Sequence, residues 1–119
     1  MLLSAIDHVQ VAAPPGCEGA ARAFYGGLLG LEEIAKPAGL SGRGGCWFRV
    51  GGQQLHVGVS ESFAPARKAH PGFVADDLEA LRARLEAAGI SAQDDDSLPG
   101  VVRFHAADPF GNRLEFRQR

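Results

Sequence analysis

Four histidines and one glutamate hold the positions from which chemistry could be done: His8, His56, His70, His105 and Glu115. Imidazole nitrogens and a carboxylate make a donor set for a divalent transition ion, and two histidines with one carboxylate suffice for a facial triad with open positions. The spacing gives the set a pattern. His8 and His70 lie 62 residues apart, and His56 and Glu115 lie 59 apart. Ligand-type residues therefore return at nearly one interval, once in each half of the chain. A pseudo-twofold relation between the halves would direct His8, His56, His70 and Glu115 toward one centre.

The elements that must position these residues read as one unit written twice. Residues 6–12 predict a strand, ended by Pro14, Pro15 and Gly16. A helix is expected over 17–29 from the recurrence of Ala20, Ala21, Phe24 and Leu28, with Gly30 at its left-handed end. Strands are expected at 31–35, 46–50 and 53–59, the last two joined by a Gly51-Gly52 hairpin turn, and the Gly-rich 39–45 segment reads as a flexible lid. The order then repeats: a strand at 70–75, a helix whose Leu78, Leu81, Leu85 and Ala88 form one stripe, and strands at 90–93, 101–107 and 113–117. Asp76 with Glu79 reads as a capping box, and Asp94-Asp95-Asp96 as a solvated turn. The expected class is α+β, two tandem βαβββ units of about 1–62 and 69–119 in one domain spanning 1–119, forming a curved mixed sheet with helices outside and a concave metal-binding cup.

Strand parity assigns faces. On the last strand Leu114 and Phe116 share one face while Arg113, Glu115 and Arg117 share the other, so the apolar pair should pack on a helix and Glu115 should face the concavity. A two-residue turn pairs Val50 with Gln53, hence Trp47 with His56 on one face. The five-residue loop Asp108-Pro109-Phe110-Gly111-Asn112 pairs Ala107 with Arg113, hence His105 with Glu115. Trp47 then becomes a pocket wall beside His56, and Arg113 and Arg117 candidate anchors for an anionic substrate group.

Composition excludes several classes. The chain has 119 residues, 45% hydrophobic and 22% charged, with 16 Gly and 7 Pro, as expected of one globular domain of short strands and tight turns. No apolar run approaches the ~20 residues of a membrane span. Twelve Lys and Arg against fourteen Asp and Glu give a net charge of −2, scattered along the chain, which leaves no footprint for nucleic acid. Small-molecule partners are expected. Cys17 and Cys46 form no CxxC and read as free thiols, and the N-terminal residues carry no export pattern, so the expected compartment is the cytoplasm.

Ile6-Asp7-His8-Val9, the helix end from Phe24-Tyr25 to Gly30-Leu31, His70 followed by Phe73-Val74 and Asp76-Asp77-Leu78, and Asp108-Pro109-Phe110-Gly111-Asn112-Arg113-Leu114-Glu115 resemble the vicinal oxygen chelate superfamily over nearly the whole chain. That superfamily includes glyoxalase I, fosfomycin-resistance transferases, methylmalonyl-CoA epimerase, extradiol dioxygenases and metal-free bleomycin-resistance proteins. The resemblance implies that His8, His70 and Glu115 are metal ligands. His56 stands where glyoxalase I has a further ligand carboxylate, which makes it a fourth ligand or a catalytic group. His105 stands where the transferases carry a substrate-contacting tyrosine, implying a general acid or base there, and Gln10 replaces a transferase threonine among the substrate contacts. The implied cofactor is a divalent ion (Zn, Ni, Mn, Fe or Co) and the implied assembly a homodimer. The implied activity is a glyoxalase-like lyase or isomerase acting on a substrate that chelates through neighbouring oxygens. The alternatives are an extradiol-type dioxygenase and a drug-sequestering protein using Trp47 and Phe110.

Overall fold

The structure is a computed structural model that describes residues 1–119. It divides into two compact units, Met1–Ala64 and Pro65–Arg119. The first contains β1 (His8–Ala13), the short helix α1 (Glu18–Ala21) running on as a π-helical stretch (Arg22–Leu28), β2 (Glu32–Ile34), β3 (Cys46–Val50) and β4 (Gln53–Val59). The second contains β5 (Gly72–Ala75), helix α2 (Leu78–Ala87), β6 (Gln93–Asp94), β7 (Arg103–Ala107) and β8 (Arg113–Gln118). Each unit folds its own four-stranded mixed sheet, in the orders β1-β4-β3-β2 and β5-β8-β7-β6. In both, the first strand runs parallel to the last and the remaining pairs are antiparallel. The fold is α+β, two tandem βαβββ units.

Burial follows strand parity. Val11 and Ala13 of β1, Cys46 and Phe48 of β3, and Leu55 and Val57 of β4 are buried with Phe24 and Tyr25 of the first helix. Phe104, Leu114 and Phe116 are buried with Leu78 and Leu85 of α2 in the second unit. Apolar residues on one face of each sheet thus find a helix, and the alternate residues are left on the other face. The registers Val50↔Gln53, Trp47↔His56, Ala107↔Arg113 and His105↔Glu115 are those the two turns require.

Several local expectations are corrected. The first helix is π-helical over most of its length, with Leu29 N–H donating to the Phe24 carbonyl at 2.9 Å. Gly26 and Gly27 lie within this stretch and resist the widening least. The 39–45 segment is no open loop: Ala38–Arg43 forms a 3-10 helix. The Glu18 carboxylate accepts from the Gly45 N–H at 2.6 Å, and Lys36 Nζ donates to the Gly44 carbonyl. The cap of α2 is Asp77, not Asp76, and it accepts from the Ala80 N–H at 3.0 Å. Ala88 of the expected stripe is exposed. His70 precedes β5 instead of lying on it. Pro71 has no N–H to extend the ladder, although its carbonyl still accepts from the Glu115 N–H at 3.1 Å.

Candidate functional site

The second unit builds a cluster on the open face of its sheet. The 108–112 turn sets it up: the Asp108 carboxylate accepts from the Phe110 N–H at 2.9 Å, the Asn112 N–H at 2.8 Å and Asn112 Nδ2 at 2.9 Å. That clamp holds β7 and β8 in the register that sets His105 opposite Glu115. His70, His105 and Glu115 each offer one ligand atom, and the three atoms lie within 4.8 Å of one another.

The hydrogen bonds around the two imidazoles fix which nitrogen is free. His70 Nδ1 lies 2.8 Å from the Lys68 carbonyl, which can only accept, so Nδ1 carries the proton. Its Nε2 then faces Glu115 Oε1 at 3.0 Å. Neutral imidazole and carboxylate would there oppose two acceptors, so this contact needs a cation between them, a proton or a metal ion. His105 Nε2 lies 2.9 Å from the Asp95 carboxylate, which directs its proton to that nitrogen, and His105 Nδ1 is buried with no hydrogen-bond partner. A histidine whose other ring nitrogen donates to a carbonyl or carboxylate is the arrangement that orients metal-binding imidazoles. Two such imidazoles and a carboxylate fit a divalent ion.

Arg103 sits beside the cluster, with Nη1 3.2 Å from Glu115 Oε1 and Nη2 3.1 Å from Asp95 Oδ2. Burial pushes the Glu115 carboxyl up, but the close His70 ring nitrogen, the hydrogen bond from Arg103 and the Arg103 charge outweigh it and hold the group below its ordinary value. The Asp95 carboxyl is held far below the usual carboxylate range, first by the Ser97 hydroxyl and N–H and then by His105. Asp95 and Arg103 escaped the sequence reading. Parity offered a signal for Arg103, which shares a strand face with His105, whereas Asp95 was masked by its acidic neighbours.

The first unit gathers a different group. Trp47 stacks on His56 at 3.8 Å between centroids and 4° between planes, and His8 stacks on the other face of His56 at 4.2 Å and 12°. His56 is therefore only 5% exposed although it lies on the open face. Its Nε2 is 2.9 Å from the Gln54 amide oxygen, and burial followed by the nearby His8 lowers its pKa, favouring the neutral ligand form. His8 Nδ1 is 3.0 Å from the Asp7 carboxylate, which leaves Nε2 as the available lone pair. In parallel stacked rings the in-plane lone pairs of His8 and His56 do not converge by stacking alone. Gln10 lies over Gly58, where a Cβ would approach its amide to 2.7 Å, and lines a cavity of about 210 Å³ with Trp47, Lys36 and Arg43. Arg117 is exposed on β8 and lines neither this cavity nor the larger one of the second unit.

A family model described as the Glyoxalase/Bleomycin resistance protein/Dioxygenase superfamily matches residues 5–116. A crystal structure of a protein assigned to the glyoxalase family from Bacillus anthracis is similar at 50% identity and TM-score 0.96, covering 100% of this chain and 98% of that one. Lactoylglutathione lyase from Agrobacterium tumefaciens is similar at 28% identity and TM-score 0.76, covering 99% and 96%. A glyoxalase/dioxygenase from Nostoc punctiforme shares the fold at 22% identity and TM-score 0.78, covering 98% and 92%. No curated protein matches the sequence.

Proposed function

This chain belongs to the glyoxalase/bleomycin resistance protein/dioxygenase superfamily, and from that premise we propose that it is a divalent-metal-dependent enzyme acting on a small molecule that offers neighbouring oxygens. The preferred reaction is a lyase or isomerase step of the kind lactoylglutathione lyase names. The observation that carries the reading is the contact of His70 Nε2 with Glu115 Oε1 at 3.0 Å, with the His70 proton committed to the Lys68 carbonyl. His70 and Glu115 are the ligands this contact supports. His8 and His56 are proposed as further ligands on their residue types and on hydrogen bonds that leave one nitrogen of each available.

A bound divalent ion supplies Lewis-acid stabilisation of an oxyanion. The chain's own residues do the rest. His105, oriented by Asp95, presents Nδ1 as the proton acceptor, and the covered faces of His56 leave only its ring edge for catalysis. Trp47 and Gln10 are proposed to contact substrate from the 210 Å³ cavity, and exposed Arg117 is proposed, on its charge alone, as an anionic substrate contact. No helix is long and apolar enough to cross a membrane. The two unbridged cysteines suit the cytoplasm as the compartment. We propose a homodimer as the assembly.

One equivalent of Zn, Ni, Mn, Fe or Co in protein purified without chelator, lost in His70→Ala, is the expected result. No binding of any of these ions would overturn the reading, and tight binding of an aromatic drug without metal would replace it with sequestration. Metal content of His8→Ala tests whether His8 shares the ion. A second reading, extradiol-type ring cleavage, is favoured by the two-histidine, one-carboxylate grouping of His70, His105 and Glu115. Oxygen uptake with catechols, against turnover of a thiol hemithioacetal, separates the two reactions.

A further inference from the structure

We propose that the larger cavity of the second unit binds a small organic acid, with its carboxylate held by Arg113 and Arg67 and its carbon body directed to His105. The inference rests on the enzyme reading above and names the substrate class for that site. The cavity has a volume of about 630 Å³, and Arg67, Arg113, His105, Gln93, Ile90 and Ala106 are among its walls. That is the size of a small-molecule site. His105 belongs to the cavity and also to the cluster with His70 and Glu115, so the cavity brings a molecule within reach of a member of that cluster.

Charge gives the cavity its specificity. In this unit Arg82 is paired with Glu79, Glu86 and Asp94, Arg103 with Asp95 and Glu115, and Arg119 with Asp76, whereas Arg67 and Arg113 on the cavity wall, like Lys68 and Arg117 away from it, form no ion pair. The wall includes one acid, Asp108, but its carboxylate accepts from the backbone and side chain of its own turn. The two cations are held by tied backbone: the Arg113 N–H donates to the Ala66 carbonyl at 3.2 Å, and the Ala66 N–H donates to Asn112 Oδ1 at 3.2 Å. Arg113 Nη2 approaches His105 Nε2 at 3.5 Å, but that nitrogen already donates to Asp95, so donor meets donor. The half-buried guanidinium therefore keeps N–H groups that no acceptor of this unit takes and that an incoming carboxylate can use. A planar carboxylate matches its fork, and Ile90 and Ala106 provide apolar wall for a short carbon chain.

The test uses metal-stripped full-length protein and three probes: 2-hydroxybutyrate, its uncharged methyl ester, and inorganic phosphate. Binding is read from NMR shifts of Arg113 Nε–H and the Ala106 and Ala107 amides. The acid should give saturable shifts at these groups and the ester none. Arg113→Gln should weaken binding by about tenfold, and Arg67→Gln should weaken it too, with the remaining amide spectrum unchanged. The wild-type comparison of acid with ester needs no variant to fold. No saturable shift, an equal response to the ester, binding of phosphate alone, or unweakened binding by folded Arg113→Gln would each overturn the proposal. Because the probes are titrated without metal, acid binding in a protein that takes up no ion sinks the metal reading and leaves this one standing. Stoichiometric metal uptake without acid binding does the reverse.

Discussion

In its neutral form His105 carries its proton on Nε2, because the Asp95 carboxylate beside that nitrogen can only accept; Nδ1 remains a buried lone pair without a partner. A buried nitrogen in that condition costs free energy, which a proton, a water or an ion reaching it would recover. We predict that wild-type His105 shows the Nε2–H tautomer by ¹⁵N NMR and that Asp95→Ala yields a mixture of tautomers. A wild-type Nδ1–H signal would remove His105 as a base. A second residue-scale prediction concerns the thiols. Cys17 and Cys46 are 2% and 1% exposed, and burial, reinforced by the Glu18 charge, pushes the Cys17 pKa up to about 11. Neither thiol should react with a disulfide reagent at pH 8 until the protein is unfolded, when both should. The folded thiol titrates above the ordinary value of 9.0, so the unfolded chain loses its proton first. Stability from Cys17 is whole below pH 9 and falls as pH rises toward 11, a decline that Cys17→Ala should reduce in alkaline denaturation curves.

The helices and turns set how far apart the site residues can be, and their weakest points are identifiable. Leu85 of α2 is fully buried, so Leu85→Ala should cost about 2–5 kcal/mol in urea unfolding. Asp77→Ala, which removes the cap hydrogen bond to the Ala80 N–H, should cost about 1 kcal/mol. Gly45→Ala should be worse than either: its φ is +83°, and a Cβ there would overlap the Val57 carbonyl. A Gly45→Ala protein as stable as wild type would refute that backbone placement. The elements also show what a sequence can reveal. The hairpin strands 46–50 and 53–59 were legible to the residue, because alternation and a Gly-Gly turn act over short range. The pairings of Trp47 with His56 and His105 with Glu115 followed from turn length alone. The π-helical stretch was not legible, since periodicity near 3.6 does not distinguish it from an α-helix over two turns. Nor was the anchoring of 38–45, which depends on Glu18, a residue 27 positions from Gly45. Asp95 was hidden for the same reason: its partner His105 is brought to it by pairing of β6 with β7.

At the scale of the whole chain, duplication places a first strand at the edge of each sheet, β1 in one unit and β5 in the other. An edge strand presents unpaired backbone groups, and proteins ordinarily guard it with charge, proline or a bulge. Pro71 stands just before β5, but Val74 on that strand is 53% exposed, Val9 on β1 is 39% exposed, and Ile6 ahead of β1 is 63% exposed. Apolar residues on open edges cost free energy in water and recover it when covered by another copy of the chain. We therefore predict that light scattering coupled to size exclusion gives twice the 12.5 kDa of one chain. The double variant Val9→Lys, Val74→Lys should shift the mass to that of one chain at micromolar concentration, with its circular dichroism unchanged, because neither side chain belongs to the buried core. A wild-type mass of one chain, or a double variant that stays paired, would mean that these edges are not where the copies meet.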